Sequence, residues 1–262
     1  MKKIVIGLVL VSLLALGTAC AGCSVLHILR GSGDTVEKSY DYKDFTSISA
    51  GWAFRVEVTR ADAYSVKISV DDNLEQYLDV SKDGSTLKIT MQNGYIYSNT
   101  HFEAVVTTPR LEELNISGAS RGTVSGFKSA DDFRLEVSGA SQATLADMAV
   151  NRLTIEVSGA SRATGNVDAS GNTSIQVSGA STVNIDGKGV DADIEVSGAS
   201  TADLTDFAVR DARANVSGAS NATVSASGTI SGDVSGASHL YYTGSPTLGR
   251  ISTSGASSVS KK

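Results

Sequence analysis

The stretch Leu153–Ser161, which reads LTIEVSGAS, contains the pattern that decides the fold of this chain. It first alternates apolar and polar residues, as a β-strand with one buried face does, and then continues into small residues suited to a tight turn. The tetrapeptide Ser-Gly-Ala-Ser occurs eight times, beginning at Ser117, Ser138, Ser158, Ser178, Ser197, Ser217, Ser235 and Ser254. Successive copies start 18 to 21 residues apart, so the chain contains a structural repeat.

A repeat of this length, with short strands and no helical periodicity, predicts an all-β fold. Specifically, it predicts a single-stranded β-solenoid with about 20 residues per coil. A second apolar residue lies seven positions after the start of most copies, at Val124, Leu145, Ile185, Leu204 and Val224. Each coil is therefore expected to contain two or three short strands joined by tight corners.

The corner residues have separate expected roles. Glycine permits a positive φ, and the serines would hydrogen-bond from one coil to the next at the spacing of stacked strands. We expect the alanine, for example Ala180, to point into the narrow interior. A sugar-binding stripe formed by Ser117, Ser120 and their equivalents is the functional alternative to this structural interpretation.

The polar residue just before each corner valine forms a second column. Its members are Glu136, Glu156, Gln176, Glu195, Asn215 and Asp233. We expect a solvated acidic face that keeps the protein soluble, with a weak cation site as the alternative.

The N-terminus has the pattern of an export signal. Lys2 and Lys3 precede an apolar run, Ile4–Leu16, which is short for a membrane span. Small residues then lead to Cys20 and again to Cys23, and a cysteine in this position resembles the lipidated residue of bacterial lipoproteins. Cys20 is the favoured lipidation site because it lies nearer the apolar run, Cys23 is the alternative, and plain secretion would leave both unmodified.

These patterns predict four regions. Residues 34–110 contain most of the aromatic residues, strand-like alternation and turn dipeptides, as expected of an atypical terminal unit that covers the first regular coil. The predicted regions are a lipoprotein signal peptide (1–19), a tether (20–34), an N-terminal β-rich cap with the first irregular coils (35–110) and the Ser-Gly-Ala-Ser β-helix (111–262).

Composition argues against several functional classes. The formal net charge is -6, opposite in sign to that of a nucleic-acid binder. Both cysteines lie at the leader and the three histidines are scattered, so no disulfide scaffold, metal site or cofactor is expected. The acidic residues Asp131, Asp132, Asp147, Asp168, Asp186, Asp203 and Asp206 are scattered in repeat register, although Asp147 and Asp206 share a position, and no catalytic residue is assigned. The run Asp71-Asp72-Asn73 is interpreted as a turn, with calcium ligation as the alternative.

The residues before the repeats carry a family resemblance. They are Phe45, Ile48, Phe54 and Val56, then Tyr64, Val66 and Asp71–Leu74, then Gly84, Leu87 and Ile89, and finally Thr108, Pro109 and Leu111. Together with the repeats, over about residues 35–258, they resemble the putative auto-transporter adhesin, head GIN domain proteins of the Bacteroides group. The resemblance implies a right-handed parallel β-helix in an exported lipoprotein, without catalytic residues.

Three functions remain open. The first is a non-catalytic envelope lipoprotein that acts as an adhesin or binding module, anchored in the outer membrane and contacting a glycan or protein on a cell surface. The second is a structural or regulatory envelope protein that faces the periplasm. The third is a carbohydrate-active β-helix enzyme, a class that needs clustered carboxylates.

Overall fold

The computed structural model describes residues 27–262, and both the signal peptide and the two cysteines lie outside this range. It contains 63% strand and 3% helix, arranged as stacked coils that form a β-solenoid of about 7 turns. The all-β, β-solenoid prediction is therefore confirmed. Within the described range, no helix is long and apolar enough to cross a membrane.

The N-terminal part contains nine strands and one 3-10 helix. They are β1 (His27–Arg30), β2 (Thr35–Tyr40), β3 (Ser47–Ala50), β4 (Arg55–Arg60), β5 (Ser65–Asp71), the 3-10 helix (Asp72–Tyr77), β6 (Leu78–Asp83), β7 (Thr86–Met91), β8 (Tyr95–Ser98) and β9 (Phe102–Thr108).

The repeat region contains two strands per coil. Those that precede a Ser-Gly-Ala-Ser corner are β10 (Glu113–Ile116), β12 (Phe133–Val137), β14 (Leu153–Val157), β16 (Thr173–Val177), β18 (Asp191–Val196), β20 (Asp211–Val216), β22 (Thr229–Val234) and β24 (Thr247–Thr253). Those that follow one are β11 (Arg121–Ser125), β13 (Gln142–Val150), β15 (Arg162–Ala169), β17 (Thr182–Lys188), β19 (Thr201–Val209), β21 (Asn221–Ala226), β23 (His239–Gly244) and β25 (Ser258–Lys261).

Two long sheets form the sides of the solenoid. The strands that precede the corners, together with β3, β6 and β7, form an 11-stranded sheet in the order β24-β22-β20-β18-β16-β14-β12-β10-β3-β7-β6. The strands that follow the corners, together with β2, β4, β5 and β9, form a 12-stranded sheet in the order β2-β5-β9-β4-β11-β13-β15-β17-β19-β21-β23-β25. From β10 onward each strand pairs in parallel with the equivalent strand of the next coil, as the repeat requires.

The first coil in sequence is not the first coil in space. Strand β3 lies between β7 and β10, and β4 lies between β9 and β11. The chain therefore forms the β3–β4 coil, moves outward to build the β7–β9 coil, and returns past β3–β4 to begin the repeats. Antiparallel pairing of β2 and β5, of β5 and β9, and of β6 and β7 forms the N-terminal end of the solenoid.

The corners place serine, and not alanine, in the interior. Ala180 is exposed, whereas Ser181 is buried with 1% of its surface accessible, so the prediction of an inward alanine is wrong. The left-handed glycine before Ala180 directs the alanine outward, and the next residue completes the turn and points inward. The hydroxyl of Ser181 then accepts the backbone N–H of Ser161 at 3.3 Å, which satisfies a buried donor.

Equivalent serines repeat this contact along the interior. The buried members are Ser120, Ser141, Ser161, Ser181, Ser200, Ser220 and Ser238. The predicted coil-to-coil contacts between serines therefore exist, and each runs from a backbone N–H to a side-chain oxygen.

Candidate functional site

One corner departs from the repeat, where Gly51–Phe54 takes the place of Ser-Gly-Ala-Ser. The backbone N–H of Ala53 donates to the Gly118 carbonyl at 3.0 Å, and the N–H of Arg121 donates to the Phe54 carbonyl at 2.8 Å. Trp52 therefore occupies the glycine position and Phe54 the position of the inward serine.

The series of buried serines ends at this corner. Phe54 is fully buried and stacks on Phe102 with ring centroids 5.1 Å apart. The neighbouring hydroxyl of Ser120 is buried without a hydrogen-bond partner, so the contact made by the other inward serines is not repeated here. The β3–β4 coil thus replaces a hydrogen-bonded interior with aromatic packing.

The backbone at Trp52 adopts a conformation that a bulky residue rarely takes. Its φ is 59°, and that of Ala53 is 62°. A Cβ fits at Trp52 because the adjacent β7–β9 coil has no tight glycine corner. Its strands β7 and β9 are joined instead through β8 and a longer loop. The indole lies edge-on to Tyr97, with ring centroids 5.6 Å apart.

A cavity of about 530 Å³, which we call the Trp52 cavity, lies on one side of this corner. Its lining residues include Trp52, the hydroxyl-bearing residues Ser49, Thr90 and Ser117, and Lys88. Ser49 and Lys88 are direct neighbours in the register of β3 and β7. Lys88 is paired with exposed Asp83, at 3.0 Å between Nζ and Oδ2.

A second cavity, of about 520 Å³, lies on the other side of the corner. Its lining includes the charged side chains of Arg55, Glu103 and Arg121, together with His101. His101 Nε2 lies 3.4 Å from a carboxylate oxygen of Glu103. The corner therefore separates an aromatic, hydroxyl-rich cavity from a strongly charged one.

The predicted polar column begins at the Trp52 cavity. In register, Asn115 lies beside Ser49 on one side and beside Glu136 on the other, so the column extends from Lys88 into the repeats. Arg134 bridges the first two carboxylates, at 2.7 Å from Glu136 and 2.8 Å from Glu156. Its hydrogen bond to Glu136 raises the pKa of the Arg134 guanidinium.

Four of the other predicted acidic residues form ion pairs between coils, and a fifth, Asp203, forms hydrogen bonds within its own strand. Asp131 pairs with Arg110, Asp132 with Arg152, Asp147 with Lys128, and Asp168 with Lys188, while Asp203 accepts hydrogen bonds from Thr205. In residues 27–262 no group of three or more His, Cys, Asp or Glu side chains is arranged to hold a metal ion.

The Asp71-Asp72-Asn73 run contacts the start of the described chain. The buried Asp71 carboxylate accepts the backbone N–H groups of Gly33, at 2.9 Å, and His101, at 2.6 Å. Asn73 donates its side-chain amide to the Arg30 carbonyl at 2.8 Å and accepts the Ser32 N–H at 3.1 Å.

Sequence reasoning did not identify the Trp52 corner. Ile48-Ser49-Ala50 has the apolar-polar-apolar pattern that precedes most corners, and Gly51-Trp52-Ala53 follows it. The signal was therefore present, but Gly51 lies 66 residues before Ser117, because the outer coil is inserted between them.

Comparisons with known proteins agree on the architecture. A family model described as "Putative auto-transporter adhesin, head GIN domain" matches residues 44–246. A putative adhesin from Parabacteroides distasonis has a similar structure, with a TM-score of 0.81, 20% identity, and 90% of this chain and 100% of that chain covered.

Two further structures are similar. A protein of P. distasonis described as a putative lipid binding protein gives a TM-score of 0.78 at 20% identity, covering 90% of this chain and 99% of that one. A putative adhesin from Parabacteroides merdae gives 0.75 at 17% identity, with coverage of 90% and 99%. None of the curated protein sequences matches this chain.

Proposed function

Because the chain belongs to the family described as putative auto-transporter adhesin, head GIN domain, we propose that it is a non-catalytic binding module of the cell envelope. It acts as an adhesin by presenting a rigid β-helix to a glycan or protein on a cell surface. The observation that carries this proposal is the Trp52 corner, where one coil departs from an otherwise uniform repeat. Structural repeats confer stiffness, whereas the departure provides a localised recognition surface.

Binding is tested with the purified full-length chain on arrays of surface glycans and of extracellular-matrix proteins. The proposal expects saturable binding to at least one class of these ligands. Nucleic acid serves as the negative control, because the net charge of -6 disfavours contact with phosphates. Absence of saturable binding on both arrays contradicts the binding-module proposal.

The membrane anchor is proposed to be a lipid on Cys20, with Cys23 as the alternative. Cys20 precedes strand β1 by seven residues, and at about 3.5 Å per extended residue this places the solenoid within about 25 Å of the bilayer surface. Cys20→Ser and Cys23→Ser are compared by membrane fractionation. Only one of the two substitutions should release the protein, and retention of both single variants on the membrane would argue against lipidation.

A periplasm-facing structural or regulatory component is the second candidate. The observation that favours it is the lack of acidic residues in the stretch Ser24–Arg30, directly after both candidate lipid sites. Protease treatment of intact cells separates the two candidates, with quantification by immunoblot. Release of the solenoid supports an outer membrane lipoprotein exposed at the surface, and protection supports the periplasmic orientation.

A further inference from the structure

We propose that the Trp52 cavity is a carbohydrate-binding site, in which the indole stacks on a neutral pyranose unit of a glycan. The inference rests on the proposed binding function and names its ligand class and its site. The residues assigned to the site are Trp52 as the stacking platform and Ser49, Lys88, Thr90 and Ser117 as hydrogen-bonding groups.

The first argument is the identity of the residue at this corner position. The eight Ser-Gly-Ala-Ser corners hold a glycine there, with φ between 63° and 80°. Trp52 holds the same position at φ 59°, and it is the only tryptophan of the chain. A bulky side chain in the left-handed region is unfavourable, and such conformations are concentrated at binding sites. The backbone therefore gives no reason for a tryptophan here.

The second argument is the chemistry of the lining. A pyranose has an apolar C–H face and an edge of hydroxyl groups, and small-ligand sites combine aromatic surface with a few convergent polar groups. The Trp52 cavity offers this combination, because Trp52 lines it together with three hydroxyl-bearing residues and one lysine. Each of these groups can donate a hydrogen bond to a sugar oxygen.

The third argument concerns charge and direction. Lys88 is the only charged group among the side chains assigned to the site, and its ion pair with Asp83 offsets its charge, which favours a neutral sugar. The cavity also opens onto the polar column that continues through Asn115 and Glu136. An extended glycan chain anchored at Trp52 can therefore follow this column along the side of the solenoid.

The test uses the intrinsic fluorescence of the full-length protein, because all tryptophan emission comes from Trp52. The probes are cellohexaose, laminarihexaose, mannohexaose, xylohexaose and chitohexaose, titrated separately. We expect at least one probe to change the emission saturably, and isothermal titration calorimetry then provides its affinity.

Variants of the site are compared by calorimetry with the same probe. Trp52→Gly introduces the residue found at every other corner and should weaken binding at least 10-fold, whereas Trp52→Phe should retain part of it. Lys88→Ala/Thr90→Ala tests the polar lining without altering the indole and should weaken binding several-fold. Ser197→Ala, a matched change at a distant corner, should leave affinity unchanged, and thermal melts establish that each variant is folded.

The outcomes separate this inference from the proposed function. If the wild-type protein binds a probe and both Trp52→Gly and Lys88→Ala/Thr90→Ala bind it equally well, the site is wrong and the binding function stands. If no probe perturbs Trp52 but the protein binds an arrayed matrix protein, the carbohydrate inference is wrong and the binding function again stands. If the protein binds nothing on the arrays and no probe in the titrations, both the carbohydrate inference and the proposed binding function are wrong.

Discussion

A Cβ on Gly179 would lie 2.4 Å from the carbonyl oxygen of Gly159 in the preceding coil. The same carbonyl accepts the backbone N–H of Ala180 at 2.8 Å, so the two coils cannot move apart without losing a hydrogen bond. Gly179 also has a φ of 79°, which is unfavourable for any other residue. The glycine is therefore required both by its own conformation and by the coil stacked against it.

Gly179→Ala should be strongly destabilising. The left-handed backbone costs about 1–2 kcal/mol, and relief of the backbone overlap costs about 1–3 kcal/mol more. Gly84→Ala is the matched control, because Gly84 has a φ of 57° with nothing within 4 Å of its added Cβ. Urea unfolding of both variants checks this, and equal losses of stability would show that coil stacking does not impose the requirement.

Ser181 and Ala180 should respond to substitution in opposite ways. Ser181→Ala removes the acceptor of the buried Ser161 N–H, which should reduce the free energy of unfolding by about 1–3 kcal/mol. Ala180→Leu adds bulk on an exposed position and should change it by less than about 0.5 kcal/mol. Thermal melts of the two variants test the assignment, and a larger loss for Ala180→Leu would show that the alanine faces the interior.

Replacing two different glutamines with glutamate should change the stability of the fold in opposite directions. Gln176 lies in register between Glu156 and Glu195, so Gln176→Glu adds like charges and should cost less than about 1 kcal/mol. Gln142 lies between Arg121 and Arg162 on the other sheet, so Gln142→Glu should stabilise by a few tenths of a kcal/mol. Melts at low and high salt provide the measurement.

Salt supplies the control for this pair. Both effects should shrink at high ionic strength, because exposed charges are screened within about 3 Å at 1 M salt. Effects that persist unchanged in high salt would indicate altered packing in place of charge interaction.

The repeat made the solenoid predictable, but it did not reveal which corner side chains point inward. Identical copies at a constant step require equivalent positions, and stacking them leaves few alternatives to parallel strands. Whether Ala180 or Ser181 points inward depends on the turn geometry at Gly179, and the small size of alanine favoured the wrong residue. Burial of a serine becomes favourable only because the preceding coil presents an N–H to it, a contact that a single repeat does not reveal.

The Trp52 corner was missed for a related reason. Its coil pairs with β7–β9 on one side and β10–β11 on the other, so its neighbours in space are not its neighbours in sequence. The 3-10 helix and the antiparallel strands between them interrupt the repeat spacing that identified every other corner.

Tyr97 should be among the last tyrosines to ionise. Burial, assisted by the nearby phenols of Tyr95 and Tyr77, raises the pKa of Tyr97 to about 12. Its hydroxyl also donates to the Gln92 carbonyl at 2.8 Å. The folded state favours the neutral phenol of Tyr97 and is stabilised by it. This stabilisation is present below about pH 10, the pKa of tyrosine in the unfolded chain, and is lost as the pH rises towards 12.

A spectrophotometric titration of tyrosinate tests this expectation. Tyr97→Phe should remove a late-ionising component from the curve and leave the earlier components in place. It should also weaken the dependence of the melting temperature on pH above 10. An unchanged late component in Tyr97→Phe would assign it to another tyrosine.

Asp71 should stabilise the N-terminal end of the solenoid through backbone contacts and not through calcium. Asp71→Ala leaves the N–H groups of Gly33 and His101 without their acceptor, which should cost about 1–3 kcal/mol. Asp72→Ala is the control, because the exposed Asp72 carboxylate accepts the hydroxyl of Ser32 at 2.6 Å and its loss should cost less than about 1 kcal/mol. Urea unfolding measures both changes, and limited proteolysis should cleave the segment before β2 first in Asp71→Ala.

Calcium and EDTA should leave the wild-type melting temperature unchanged, because both oxygens of Asp71 are already occupied by backbone donors. A rise in melting temperature with calcium that Asp71→Ala abolishes would show instead that Asp71, Asp72 and Asn73 ligate the ion, and the interpretation of this segment as a turn would be wrong.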